Sequence, residues 1–155
     1  MTTISLELAK ELQSICKEKG IELPDHYWGW FYQEITETNV LLPMFSNTLS
    51  EYLAPAYTLD ELLEWLPELI TRKEWFSYYD DPTDETEREV YYDFILHKKD
   101  KDIYRAIYTW SLNDYDEDTN DEEYGNKEYL KFFDDSNSAN AACKLLIWLI
   151  KNGLI

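Results

Sequence analysis

The chain has 155 residues, 45% apolar and 16% aromatic, with 32 acids against 14 lysines and arginines for a net charge of −18. Six Trp, thirteen Tyr and six Phe exclude the aromatic-poor composition of a disordered acidic chain, and this length suffices for one core burying roughly 68–70% of the unfolded surface. The longest fully apolar run, Leu145 to Ile150, is far short of the ~20 residues of a membrane span, and Met1 to Glu7 has no basic or apolar leader. A single globular domain over 1–155, soluble and cytoplasmic with no membrane partner, is therefore expected.

In chain order, Ile4, Leu8, Leu12, Ile15 and Cys16 recur at helical spacing after Thr3, and Gly20 follows Lys19 as a stop. Beyond Leu23-Pro24, the aromatic run Tyr27 to Gln33 predicts a strand. The polar link Thr36 to Asn39 then leads to a second strand, Val40 to Met44, which Pro43 assigns to an edge. Residues 45–57 read as a connection. Thr58-Leu-Asp-Glu61 has the form of a capping box, opening a short helix that buries Leu59, Leu62, Leu63 and Leu66 before Pro67.

The middle of the chain alternates with a period of two. Val90, Tyr92, Phe94 and Leu96 form an apolar face, with Glu89, Asp93 and His97 on the other. After the link Lys98 to Asp102, Tyr104, Ala106, Tyr108 and Trp110 face one way and Arg105 and Thr109 the other, a hairpin partner. Trp75 to Tyr79 adds a third strand through an acidic loop, Asp80 to Glu87. The last helix runs from Ala139 to Lys151 with Ser138 as cap, and Asn152-Gly153-Leu154 is a left-handed stop followed by a packing leucine. That helix is apolar almost all round from Ala141 to Ile150. It is either sandwiched in the core or half buried with Ile147 and Trp148 left over for a second copy, a possible homodimer. The order implies an α+β fold: an antiparallel sheet, hairpin plus three-stranded meander, packed with three helices mainly on one face.

The phrase Tyr57-Thr-Leu-Asp-Glu-Leu-Leu-Glu-Trp-Leu-Pro67, the tyrosine-rich meander and the closing Asn140 to Ile155 resemble small uncharacterised proteins of Bacteroidetes phages and prophages over the last two thirds of the chain. Those proteins commonly carry proline near the position of Ser138, where this chain departs. The resemblance implies no activity and no catalytic residue. What it implies is a mobile-element setting, with a host defence as target.

Charge is concentrated in two stretches. Tyr79 to Asp93 holds Asp80, Asp81, Asp84, Glu85, Glu87, Glu89 and Asp93 against Arg88; Asn113 to Asp135 holds Asp114, Asp116, Glu117, Asp118, Asp121, Glu122, Glu123, Glu128, Asp134 and Asp135 against Lys127 and Lys131. Together they supply −14 of the −18. The stretch Asp114 to Gly125 has calcium-loop oxygen spacing, yet Thr119 and Gly125 stand where a glycine and a bidentate glutamate are required. No metal or cofactor is expected. Cys16 and Cys143 lie among apolar residues and read as buried free thiols, His26 and His97 as turn residues, and the four glycines form no phosphate loop. Nothing marks an acid/base pair, so a non-enzyme is expected. A chain this acidic repels nucleic acid itself. It suits a basic nucleic-acid-binding protein whose nucleic-acid site the acids would occupy with Tyr91, Tyr115, Tyr124 and Tyr129 as anchors; with the mobile-element setting that the resemblance implies, a CRISPR effector is its sharpest form. The alternative is a homo-oligomer using the last helix, its charge serving only solubility.

Overall fold

Residues 1–45, 50–78, 81–110 and 129–155 are described by the structure, a computed structural model, with the backbone alone for 75–78, 81–86 and 88. Helix α1 (Leu6–Lys19) starts at Ser5, whose hydroxyl accepts the Leu8 N–H, and ends at Gly20, left-handed at φ 68°. A side chain there would be strained. The apolar spacing seen in the sequence buries Leu8, Leu12, Ile15 and Cys16.

The expected hairpin forms as β1 (Trp28–Gln33) and β2 (Thr38–Pro43), with β2 on the edge, where Pro43 costs no ladder hydrogen bond. The connection expected over 45–57 is in part a strand: β3 (Glu51–Pro55) pairs antiparallel with the other side of β1, giving the order β2-β1-β3. Gly29 in β1 is required by close packing, since a Cβ there would meet Met44 Sδ at 2.8 Å and the rings of Phe31 and Tyr52 at 2.9 Å. On the other face the Trp30 indole donates to the Ile4 carbonyl at 3.2 Å, tying this sheet to the start of α1.

Helix α2 (Leu59–Trp65) begins at the expected capping box, with the Thr58 N–H donating to Glu61 Oε2 at 2.7 Å and the Glu61 N–H to the Thr58 hydroxyl at 3.3 Å. It buries Leu62, and the following Leu66 is buried too; Leu59 packs partly on the core and Leu63 stays exposed, because a helix of about two turns presents a narrow stripe.

The meander has four strands rather than three, in a sheet separate from the first. Strands β4 (Leu69–Tyr78), β5 (Asp81–Asp100), β6 (Ile103–Trp110) and β7 (Tyr129–Asp135) pair in sequence order, all antiparallel. The acidic loop expected at Asp80 to Glu87 is strand from Asp81 onward: pairing with β4, already extended from Leu69, overrides the low strand propensity of Asp, Glu and Pro. The even-numbered face of β5 is the core face, with Val90 and Tyr92 buried beside Ala106 and Tyr108 of β6.

Helix α3 (Ser138–Lys151) is sandwiched: it packs on α1, α2, β6 and β7 and buries ten of its residues. Its N-cap is Asn137 rather than Ser138, because Asn137 keeps extended backbone (φ −113°, ψ 121°) and accepts from the Ala139 and Asn140 N–H groups, while Ser138 is helical and buried. Gly153 is left-handed at φ 65°, and the Leu154 N–H returns to the Leu149 carbonyl at 3.0 Å. An asparagine-rich knot joins the layers. Asn137 Nδ2 donates to the Thr3 carbonyl (3.0 Å), the Ser5 N–H to Asn140 Oδ1 (2.9 Å), and Lys144 to Asp135 Oδ2 (2.6 Å). Three buried tyrosines add polar contacts through their hydroxyls: Tyr57 to Pro24 O (2.8 Å), Tyr92 to Glu74 Oε1 (2.9 Å) and Tyr108 to Pro67 O (2.6 Å). Burial pushes all three well above the ordinary phenol range, so each remains a donor.

Candidate protein-binding face

Residues directly opposite one another in an antiparallel sheet share a face. With Val90, Tyr92, Ala106 and Tyr108 inward, the register turns Leu69, Thr71 and Lys73 of β4 outward. The same rule turns outward Glu87, Glu89, Tyr91, Asp93, Ile95 and His97 of β5, Arg105, Ile107 and Thr109 of β6, and Tyr129, Phe132 and Asp134 of β7. Helix α3 lies on the opposite side, and among the described residues no helix covers this outward face.

Its chemistry changes along the strands. Toward the start of β5, Glu87, Glu89 and Asp93 share one row with Tyr91, and alternate positions in a strand are roughly 6.8 Å apart. Tyr91 donates its hydroxyl to Glu89 Oε2 at 3.1 Å, and Lys73 reaches Glu87 at 3.7 Å with both side chains well exposed, a weak pair. In the middle lies an apolar stripe. Leu69 (45% exposed), Ile95 (43%) and Tyr129 (45%) are open to solvent, with the half-buried Ile107 and Phe132 completing it. Asp93 sits half buried in this setting, opposite Leu69 on one side and Thr109 on the other.

The far end is locked by ion pairs. Arg105 grips Asp134 in a fork (Nε to Oδ1 2.6 Å, Nη2 to Oδ2 2.8 Å), Lys99 adds a 3.1 Å contact, and the guanidinium lies 4.0 Å from the centre of the Phe132 ring. The Arg105 hydrogen bond, outweighing partial burial, and then that of Lys99 hold Asp134 well below the usual carboxylate range. Asp135, on the inward face, is also lowered: burial would raise it, but Lys144 and the Asn137 N–H prevail.

Of the partner-binding residues expected from sequence, Glu87 stands exposed on this face, and Asp81, Asp84 and Glu85 fall on the β5 backbone leading into it. Asp80 and Asp114, Tyr115, Asp116, Glu117, Asp118, Asp121, Glu122, Glu123 and Tyr124 lie outside the described residues. The alternative pair divides. Ile147 is core, 4% exposed, because α3 is sandwiched there, whereas Trp148 is half buried and helps line a cleft of about 350 Å³ with Leu8, Phe133 and Ile147, rimmed by the Lys151–Glu11 pair at 2.7 Å. His97 is a mid-strand residue opposite Arg105 rather than a turn residue, since β5 continues to Asp100. His26 packs between the Tyr52 and Tyr57 rings.

Cys16 and Cys143 are both buried free thiols, and burial raises both above the ordinary range, so neither supplies a thiolate near neutral pH. No helix among the described residues is long and apolar enough to cross a membrane. The chain matches no protein-family model, no curated protein and no solved structure.

Proposed function

We propose that this protein is a non-enzymatic acidic binding protein that occupies a basic nucleic-acid site on a partner. The observation that carries this reading is the row Glu87, Glu89 and Asp93 on one face of β5, a strand paired on β4 and continuous with the sheet. Carboxylates on a hydrogen-bonded ribbon keep fixed spacing, so a lysine- and arginine-lined groove meets a preformed anionic track without having to order it. The second acidic stretch, from Asp114 to Glu123, adds to the chain's net negative charge. The phage-like phrases of the sequence favour a mobile-element protein, and a nucleic-acid-handling defence protein such as a CRISPR effector is the sharpest form of the partner.

The test is affinity capture from host lysate at low and high salt, with wild type beside a variant carrying Glu87→Gln, Glu89→Gln, Asp93→Asn, Asp116→Asn, Asp118→Asn, Glu122→Gln and Glu123→Gln. A partner retained at low salt, lost at high salt and lost by the variant is expected. Retention under all three conditions would sink the reading.

A second reading, a homodimer through the cleft beside Trp148, is favoured by charge. Helices α1 and α3 together carry three acids and five lysines, so this side lacks the acidity of the rest of the chain. Light scattering should then give a dimer that Trp148→Glu splits, and a monomer at high concentration would remove it.

A further inference from the structure

We infer that the docking surface is the described outward face of β4–β7, from Lys73 and Glu87 to Asp134, and that its occupant is a cationic amphipathic segment of the partner: apolar residues on the stripe, lysines or arginines on the acidic end. This rests on the proposed acidic binding function and narrows it. A purely phosphate-like surface would be acidic throughout, yet this one places the open Leu69 opposite Asp93 and the open Ile95 next to Asp93 along β5, with Tyr129 on the same face beyond Thr109. Across four strands the stripe spans roughly 14 Å, the reach of about three turns of helix.

Charge decides what covers it. A second copy would bring the same Glu87, Glu89 and Asp93 against themselves in a chain of net −18. Among the described residues, Arg105 and Lys99 both pair with Asp134 at the far end, and Lys73 makes only its weak, exposed pair with Glu87, so the acidic end keeps its negative sign. A cationic partner therefore complements the acidic end, and its apolar face removes the stripe from water. Once water is excluded, the attraction at the half-buried Asp93 strengthens with the falling local dielectric. The division of labour follows: acids govern encounter rate and salt dependence, and the stripe governs residence.

The experiment uses two probes of equal charge, a Leu/Lys amphipathic peptide and a Ser/Lys peptide, titrated into the isotope-labelled full chain by NMR. The Leu/Lys peptide should bind about tenfold more tightly, the scale set by covering the exposed parts of Leu69 and Ile95. It should shift the amides of Leu69, Ile95, Ile107 and Phe132. The Leu69→Ser/Ile95→Ser variant, folded by circular dichroism, should lose that preference, whereas Glu87→Gln/Glu89→Gln should weaken both peptides alike. Equal affinities for the two peptides, with both sensitive to the Gln variant, overturn the stripe's role and leave the acidic function standing. A preference that survives Leu69→Ser/Ile95→Ser, or shifts confined to α1 and α3, also overturns it. Binding of neither peptide overturns the inference and counts against the acidic function as well.

Discussion

Replacing Asn137 by alanine tests whether the knot between α1, β7 and α3 holds the sheet's frame. The side chain does two separate jobs: Oδ1 accepts from the Ala139 and Asn140 N–H groups at 2.9 and 3.2 Å, and Nδ2 donates to the Thr3 carbonyl at 3.0 Å. Loss of a helix cap costs about 1 kcal/mol, and a half-buried carbonyl deprived of its donor about 1 kcal/mol more. The expected destabilisation of about 2 kcal/mol lowers the melting temperature of a domain this size by roughly 4–8 °C. Asn137→Ser keeps a capping oxygen but cannot reach Thr3 in the same way, and should cost about half as much. Guanidinium titration and thermal scans on the two variants decide it. An alanine variant within about 0.5 kcal/mol of wild type, or a serine variant as damaged as alanine, would refute the double role.

Asp134 should make the protein acid-sensitive. Its folded-state pKa is depressed by Arg105 and then Lys99, so its stabilisation is present above the unfolded value near about 4 and is lost as pH falls through the folded value. Denaturant midpoints followed downward from neutral pH should fall less steeply below about pH 4 in Asp134→Asn; parallel curves would contradict the assignment. Gly29→Ala should cost about 1–3 kcal/mol, since the new methyl meets the buried Phe31 ring as well as Tyr52 and Met44, and a neutral result would mean that these side chains shift freely. Tyr108→Phe leaves the Pro67 carbonyl without its 2.6 Å donor and should cost about 1–3 kcal/mol by chemical denaturation; an unchanged midpoint would place that hydroxyl outside the core's necessary contacts.

Much of the fold was legible because local signals and tertiary packing agree. The Thr58–Glu61 capping box, the Gly20 stop and the even-numbered core face of β5 all carry local chemistry that survives in the folded state. β3 was not legible: Glu51-Tyr-Leu-Ala-Pro55 is short, ends in proline and exists through its pairing with β1. β7 was hidden inside the second acidic stretch, where Asp134 and Asp135 look like solvated charge but pair with Arg105 and Lys144 on opposite faces of the sheet. Asn137 and Ser138 are both good caps, and only the backbone angles choose between them.

The candidate face was half legible. Alternation puts Glu89, Asp93 and His97 together, but the same row also contains Tyr91 and Ile95, and the polar side of β6 contains Ile107 between Arg105 and Thr109. Apolar residues recurring on a strand's polar side were the available signal for an open, sticky face. Their grouping with Leu69 and Phe132 depends on strand order, which sequence periodicity does not contain.

The central claim, that the acidic face takes the place of nucleic acid, is tested most directly by competition. The captured partner is loaded with its labelled nucleic acid and titrated with this protein and with the Glu87→Gln/Glu89→Gln/Asp93→Asn variant. Wild type should displace the nucleic acid stoichiometrically and the variant should need much higher concentrations; a ternary complex, or displacement by the variant at equal concentration, would contradict the account.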